Sequence, residues 1–370
     1  MPTRSGQSAM RQTGYDGVAF ETLIQSGATA SFHLRPTEPS MRSINALIYA
    51  AALVATLWVS PIRAQDAVFA NGFEPRQFCD LGAGPGVCPG FRVDAPGTAV
   101  APGQSLIKSL YFRAGNSVPL AVRRIAATRD PGVSALTIFA TYGVGAVPQE
   151  CRPEGTFETG ACCSSGSLVA APLLFAQPPT NDLQFSARDG GGNPLALELQ
   201  PDQPLCLQLQ FSNPTAAAVT ATASVQMEAQ LPGAPYTATA PLLALTSQIL
   251  IPPNATGAAS HNCPTRANTS FWMLTTRTFR RSTLAQLRTG MMVLLQSTDW
   301  ERPNVLQLAQ PPFLSFTAAN PLRTECSYNN PGNFTVQFGQ SPETDETCEA
   351  IGYFFPGTTP AVCFNGVLAF

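Results

Sequence analysis

Short apolar runs, each closed by proline, glycine, asparagine or aspartate, recur along this chain and restrict the folds open to it. Three of them are Ser105–Phe112, Ala135–Gly143 and Pro204–Phe211. Their length, their β-branched and aromatic residues and the turn residues between them predict strands. Many short strands at this spacing, with no helical pattern between them, indicate a β-sandwich. Similar runs return after Cys263, so the sequence predicts an all-β chain of two sandwiches in tandem.

The amino-acid composition agrees with this fold class and argues against two kinds of partner. Only 12% of the residues are charged, while proline (34) and glycine (29) are abundant, a profile typical of loop-rich exported β-proteins. A hydrophobic content of 44%, with 22 phenylalanines, is enough to build a core. The net charge of −2 gives no polyelectrolyte signal, so neither nucleic acid nor an acidic membrane surface is a predicted partner.

An apolar run near the N-terminus, Ile44–Val59, has the layout of a signal peptide with cleavage after Ala64. The alternative is a membrane anchor, because the run approaches the shortest lengths that span a bilayer. Met41 is a natural start for a signal peptide. We therefore expect 41–64 to be the signal peptide and 1–40 to be a misannotated or disordered extension. The mature chain would be secreted or periplasmic in a bacterium, with no stable membrane insertion.

All ten cysteines follow this apolar run, and their number is even. In an exported chain this favours disulfides over metal thiolates, and no C-x-x-C pair argues for zinc or redox chemistry. Cys162 and Cys163 are adjacent, and we expect each to pair with a different partner because a vicinal disulfide is strained. The pairing of the six first-domain cysteines stays open: Cys79, Cys88, Cys151, Cys162, Cys163 and Cys206.

A segment rich in proline, alanine and threonine, Leu231–Gly257, separates the two groups of strand-like runs. Its composition predicts a boundary between domains. We expect a first sandwich over 75–240 and a second over 258–370, each stapled by disulfides.

Several motifs follow one another in the second domain: Thr298-Asp299-Trp300-Glu301 with Pro303, Cys326, Tyr328, Asn330-Pro331, Thr335–Gly339 and Asp345-Glu346 before Cys348. In this order they resemble the C-terminal domain of the copper type II, ascorbate-dependent monooxygenases. That family includes peptidylglycine α-hydroxylating and dopamine β-hydroxylating enzymes. The first domain is less closely similar to the family, at Gly86–Val93, Val118–Asp130 and Cys206–Pro214.

The resemblance implies a specific fold and a specific disulfide pattern. It implies two tandem jelly-roll-type antiparallel β-sandwiches, each holding one copper across a solvent-filled cleft. It also implies disulfides that join Cys326 to Cys348 and Cys263 to Cys363.

The copper ligands that the resemblance implies for the second domain are replaced by other residue types. The family's His-x-His pair corresponds to Arg277 and Phe279, and its methionine corresponds to Thr347. A copper that cycles between Cu(II) and Cu(I) is suited by imidazole and thioether donors. A guanidinium group cannot donate a lone pair, phenylalanine has none, and threonine is a poor copper ligand. We therefore expect no copper at this position.

The first-domain positions lead to the same expectation. The family's His-His pair corresponds to Arg123 and Arg124, and its third histidine corresponds to Gln210. The whole chain has two histidines, of which His33 precedes the predicted signal peptide, so the mature chain keeps only His261. One histidine cannot supply two mostly imidazole copper sites unless a partner chain provides ligands. No metal or other cofactor is expected.

These residues predict a function in which the copper chemistry is lost. We expect an exported, catalytically inactive relative of the family, with no catalytic residue, acting as a structural protein or as a binder of an unidentified small molecule or protein. The alternative is an active copper-dependent monooxygenase or oxidoreductase that uses non-standard ligands, in which case copper is its cofactor.

Three arginines at the former ligand positions suggest a more specific role. If the family architecture holds, Arg123, Arg124 and Arg277 could gather along the cleft between the domains. Guanidinium groups in a groove can hold a carboxylate or a phosphate. The alternative is that these side chains only fill vacated positions through ion pairs.

Overall fold

A computed structural model describes residues 76–77, 90–143, 147–163, 173–177, 181–231 and 233–368. The predicted extension at 1–40 and the predicted signal peptide at 41–64 lie outside the described residues, as do Cys79 and Cys88. The described residues form strands and no helix, and therefore no helix that could cross a membrane. The predicted all-β fold class is confirmed.

The regular elements are short strands joined by turns. Those of the first half are β1 (Arg76–Gln77), β2 (Gly90–Asp94), β3 (Thr98–Val100), β4 (Ser105–Arg113), β5 (Leu120–Arg129), β6 (Val133–Ala140), β7 (Phe157–Thr159), β8 (Leu173–Gln177), β9 (Asp182–Gln184), β10 (Leu195–Leu199), β11 (Pro204–Ser212), β12 (Val219–Ala221) and β13 (Ala223–Ala229). The apolar runs that predict strands at Ser105–Phe112 and Pro204–Phe211 are β4 and β11.

Twelve further strands follow in the second half. They are β14 (Thr237–Leu245), β15 (Leu250–Ile251), β16 (Ala255–Cys263), β17 (Ser270–Arg277), β18 (Ser282–Thr289), β19 (Met292–Ser297), β20 (Val305–Gln307), β21 (Leu322–Asn330), β22 (Val336–Gln337), β23 (Glu349–Phe355), β24 (Ala361–Phe364) and β25 (Val367–Leu368). The Pro/Ala/Thr-rich segment with the predicted domain boundary thus contributes β14, β15 and the start of β16.

Three larger sheets organise these strands. A twelve-stranded sheet follows the order β1-β2-β13-β5-β10-β14-β23-β17-β20, with β9, β24 and β25 attached at its sides. A five-stranded sheet, β7-β4-β11-β6-β8, belongs to the first half. A four-stranded sheet, β16-β21-β18-β19, belongs to the second half. The twelve-stranded sheet therefore contains strands of both halves.

Strand β14 is the point at which the two halves join. It pairs in parallel with β10 through Thr237–Thr239 and in antiparallel fashion with β23 through Ala240–Leu245. Residues 239–244 are all buried, as expected for a central strand covered on both faces. The described residues all belong to one compact unit, Ala67–Phe370, with this strand inside its sheet.

The hydrophobic core of the first half includes aromatic residues of the second. Phe185 lies edge-on to Tyr353, with ring centroids 5.2 Å apart, and 5.4 Å from the ring of Trp272. The indole Nε1–H of Trp272 donates a hydrogen bond to Thr239 Oγ1 at 3.0 Å, so its polar atom is satisfied inside the core. Burying rings of this size stabilises the fold by roughly 2 kcal/mol or more each. The two halves therefore share packing as well as a sheet.

Three disulfides occur in the described part of the chain. Cys151 bonds to Cys163 and Cys162 bonds to Cys206, so the two adjacent cysteines have different partners, as the sequence predicts. Cys326 bonds to Cys348, which is the pair that the resemblance implies.

The second pair implied by the resemblance differs in the structure. Cys263 and Cys363 are buried free thiols rather than a disulfide. Cys263 ends β16 and Cys363 lies on β24, and the thiol of Cys263 donates to the carbonyl oxygen of Pro264 at 3.4 Å.

Candidate functional site

The three second-domain positions singled out in the sequence come together around one buried carboxylate. Arg277 ends β17 and lies opposite Glu349 on β23. Its Nη1 is 3.3 Å from Glu349 Oε2, and the hydroxyl of Thr347 donates to Glu349 Oε1 at 2.8 Å. The guanidinium group of Arg277 also lies 5.6 Å from the ring centroid of the buried Phe279. The cluster is held together by an ion pair and packing.

A second buried carboxylate, Glu346, fixes the turn after β17. It accepts hydrogen bonds from the backbone N–H groups of Phe279 at 3.0 Å and Arg281 at 2.6 Å. Burial raises the pKa of Glu346 to about 7, against the opposite effect of these hydrogen bonds. Burial and the nearby Glu346 and Glu349 also raise the pKa of Tyr328, whose hydroxyl donates to Thr347 O at 3.0 Å.

Two exposed or half-buried arginines hold the acidic loop that contains Glu346. Arg280 forms an ion pair with Glu343. Arg281 Nη2 donates to the carbonyl oxygen of Glu343 at 2.7 Å, and its guanidinium group lies 5.3 Å from the ring centroid of Phe334. In the described residues, no three histidine, cysteine, aspartate or glutamate side chains are placed to hold a metal ion. The loop is tied to the protein by basic side chains.

The first-domain positions are not brought together as the resemblance implies. Arg123 and Arg124 lie on β5 of the twelve-stranded sheet, whereas Gln210 lies on β11 of the five-stranded sheet. Gln210 donates from Nε2 to the carbonyl oxygen of Gln340 at 3.3 Å. The described contacts connect Gln210 to Gln340 and connect the two arginines to Glu228 and Asp182, so they do not link the three positions to one another.

A groove of about 510 Å³ opens beside the two adjacent arginines of β5. Its lining combines charged, amide, hydroxyl and apolar side chains: Arg123, Arg124, Gln184, Phe185, Ser186, Arg188, Pro194, Glu228 and Gln230. Arg277, which the sequence analysis groups with Arg123 and Arg124, is not among these described lining residues. The three arginines that the sequence places along one cleft therefore occupy two places: Arg123 and Arg124 line this groove, and Arg277 pairs with Glu349 elsewhere.

An irregular strand pairing explains why two consecutive arginines line one groove. Arg124 lies opposite Glu228, and Val122 lies opposite Ala229, which leaves Arg123 as the extra residue of a β-bulge. In a regular strand, successive side chains point to opposite faces. Here both reach the same carboxylate, with Arg124 Nη1 at 2.8 Å and Arg123 Nη2 at 3.7 Å from Glu228 oxygens.

Arg124 is fully engaged in this network. Its Nε and Nη2 donate to the two carboxylate oxygens of Asp182, both at 2.8 Å, while Nη1 binds Glu228. Hydrogen bonding to Asp182 raises the pKa of Arg124 further above its already high value, and the same bonds lower the pKa of Asp182. Such a bidentate pair fixes geometry as well as charge.

Sequence reasoning missed two residues of the groove, Glu228 and Arg188. Glu228 is buried on a strand whose neighbours are apolar, and an isolated glutamate in such a run carries no distinguishing signal. Arg188 lies in the glycine-rich loop after β9, which sequence reading identifies only as a loop. His261, the histidine of the described chain, is buried on β16, and burial lowers its pKa to about 4.

Comparisons with known proteins identify no family. No protein-family model matches the chain, and no curated protein matches it. Among solved structures, STIV MCP matches 71% of this chain and 96% of its own at 8% identity and a TM-score of 0.29. PNGase F, a glycosylasparaginase from Flavobacterium meningosepticum, matches 73% of this chain and 97% of its own at 9% identity and a TM-score of 0.29. The major capsid protein P2 of bacteriophage PM2 matches 76% and 96% at 9% identity and a TM-score of 0.22. At these values, the similarities assign no ligand or activity to this chain.

Proposed function

We propose that this chain is an exported binding protein, related to the copper type II monooxygenases, that holds no copper and does not catalyse oxygenation. The observation that carries the proposal is that Arg277 and Thr347 both bind the carboxylate of Glu349. The guanidinium group of Arg277 has no lone pair to offer a metal, and the hydroxyl of Thr347 is directed at Glu349.

The residues at the implied copper positions do not fit that metal. Arg277 carries a permanent positive charge, and Phe279 has no donor atom. The hydroxyl of Thr347 is a poor ligand and is committed to Glu349. In the first half, Arg124 is bound to two carboxylates, and Gln210 lies on another sheet.

An extracellular or periplasmic location belongs to this proposal. Three disulfides in the described part of the chain are compatible with an oxidising compartment. The Cys162–Cys206 disulfide is attached to β11 of the five-stranded sheet, and the Cys151–Cys163 disulfide lies beside that sheet. The third disulfide joins Cys326 on β21 to Cys348, the residue before β23. Mass spectrometry of the N-terminus of the exported protein tests the proposed signal peptide, with the mature chain expected to begin after Ala64.

Metal analysis of the purified mature chain tests the loss of copper. After loading with Cu(II), or with Cu(I) under ascorbate, and then dialysis, copper is expected well below one equivalent per chain. Two tightly bound coppers per chain would contradict the proposal and favour an active enzyme with non-standard ligands.

A variant that supplies the missing donors is the matched comparison. Arg277→His combined with Phe279→His and Thr347→Met places two imidazoles and a thioether in the cluster. We expect this variant to retain more copper than the unaltered chain under the same dialysis. If neither protein retains copper, the assignment of these three positions to a former metal site loses its support.

A further inference from the structure

The groove beside β5 contains two arginines, Arg123 and Arg188, whose contacts with the rest of the protein leave several guanidinium donors unused. Arg123, whose side chain is 47% exposed, has a single carboxylate contact among the described residues, at 3.7 Å from Glu228. Arg188 donates from Nη1 to the carbonyl oxygen of Gly192 at 2.8 Å. A guanidinium group has five N–H donors, so both side chains keep donors for a ligand.

The charges around the groove leave a positive excess. The described lining contains three arginines and one carboxylate, that of Glu228, and Arg124 binds both Glu228 and Asp182. Arg124 therefore serves the protein's own network, whereas Arg123 and Arg188 present charge to the solvent-filled space. Because the whole chain is slightly acidic, this local excess is not a general property of its surface.

The rim of the groove is held in place by the second half of the chain. Gln307 donates to the carbonyl oxygen of Gln184, and the backbone N–H of Arg188 donates to the carbonyl oxygen of Ala309. The backbone N–H of Phe185 donates to the carbonyl oxygen of the bulge residue Arg123. Binding groups held in position before the ligand arrives lose less entropy on binding.

The lining also defines which ligands fit. Gln184 and Ser186 are exposed at the rim, and Gln230 is half-buried, so neutral hydrogen-bonding groups surround the arginines. Phe185 is only 4% exposed and packs inward against Trp272 and Tyr353, so its ring offers no stacking surface. A volume of about 510 Å³ is within the range of small-molecule sites.

We infer that the groove binds a hydrophilic small molecule through an oxyanion group, a carboxylate, phosphate or sulfate, held between Arg123 and Arg188. Charge-assisted bonds from guanidinium groups suit the planar or tetrahedral oxygens of such groups. The inference rests on the proposed binding role and names its ligand class. In this site Arg188, rather than Arg277, acts together with Arg123 to hold the oxyanion.

Calorimetric titration of the mature chain with inorganic phosphate, sulfate or citrate tests this inference, with sodium chloride balancing the ionic strength. We expect saturable one-site binding of at least one of these probes. Arg123→Gln and Arg188→Gln should each weaken it about tenfold, the effect of losing a charged hydrogen bond. The probe that binds most tightly identifies the oxyanion.

Arg323→Gln is the matched control, because Arg323 has the same 47% exposed side chain and also contacts one carboxylate, Glu325 at 2.7 Å. It should change the affinity by less than about twofold. Far-ultraviolet circular dichroism and the thermal midpoint establish that each variant is folded. Absence of saturable binding for all three probes overturns the inference, as does unchanged affinity in a variant that combines Arg123→Gln and Arg188→Gln.

Copper analysis of the same preparations separates this inference from the proposed function. A chain that holds copper and still binds an anion through Arg123 and Arg188 contradicts the proposed function and leaves the groove assignment standing. A copper-free chain that binds none of the probes contradicts the groove assignment alone.

Discussion

Arg277 and Glu349 form an ion pair inside the protein, with Arg277 Nη1 3.3 Å from Glu349 Oε2. The two residues are directly opposite in the register of β17 and β23. Only 13% of the arginine side chain and 4% of the glutamate side chain are exposed. Thr347 adds a hydrogen bond to the same carboxylate. The charge of each residue is thus balanced locally, in a region where an unpaired charge is costly.

Replacement of the arginine in this pair should destabilise the fold. Arg277→Met leaves the carboxylate of Glu349 buried without its cation, so we expect the free energy of unfolding to fall by about 3 kcal/mol. Urea denaturation at neutral pH measures the change. Adding Glu349→Met should recover part of the loss, because an apolar pair of similar volume removes the uncompensated charge.

The exposed ion pair of Arg302 with Asp299 is the control for this experiment. Its nitrogen and oxygen are 3.6 Å apart, and 82% of the arginine side chain is exposed. Arg302→Met should cost less than about 0.5 kcal/mol, since solvent screens such pairs. If Arg277→Met costs no more than Arg302→Met, Glu349 does not depend on Arg277 for its charge balance.

The sequence predicts the strands because their signal is local. The run at Pro204–Phe211 is apolar, short and followed by Asn213, and it forms β11 with every residue but the last buried. The predicted all-β class follows from many such runs. The same reasoning favours two separate sandwiches, whereas β14 pairs with strands of both halves. Which strands pair over long sequence distances depends on the whole packing, which local patterns do not encode.

The candidate site was predictable only in part. Arg123 and Arg124 stand out as consecutive charges in an apolar strand, and both line the groove. Their common orientation depends on a bulge opposite Glu228, and a one-residue bulge has no signal in this sequence. Arg188 reaches the groove from a loop through tertiary contacts, such as the bond from its backbone to Ala309. Sequence spacing cannot reveal such a contact.

The buried Glu346 should make stability depend on pH. Its pKa is raised from 4.5 to about 7, so the folded protein binds this proton more tightly than the unfolded chain. The stabilising contribution is therefore complete below about pH 4.5 and lost as the pH rises through about 7. At about 1.4 kcal/mol for each pH unit of the shift, we expect a loss on the order of 3 kcal/mol. Urea denaturation at several pH values across this window measures it.

Glu346→Gln is the comparison that isolates this carboxyl group. The variant cannot titrate at this position, so the unaltered protein should lose about 3 kcal/mol of unfolding free energy relative to the variant as the pH rises through this window. His261 acts in the opposite direction, because its lowered pKa of about 4 removes stability as the pH falls below its usual range. Both proteins contain His261, so its contribution cancels in the difference between them. Equal pH dependence in the two proteins would show that Glu346 does not titrate in this window.

The two arginines of the β5 bulge should differ in their effect on stability. Arg124→Gln removes the bidentate contact to Asp182 and the 2.8 Å contact to the buried Glu228. We expect this variant to lose about 2 kcal/mol of unfolding free energy, because Glu228 then keeps only the 3.7 Å contact to Arg123 as its described cation.

Arg123→Gln is the control, since it removes the same charge from the adjacent residue of the same strand. Arg123 is half-exposed and its only described carboxylate contact is the long one to Glu228, so the loss should be less than about 0.5 kcal/mol. Urea denaturation of both variants under identical conditions gives the difference. Equal destabilisation would mean that the two arginines share the Glu228 carboxylate, and Arg123 would then be a structural residue rather than a donor free for a ligand.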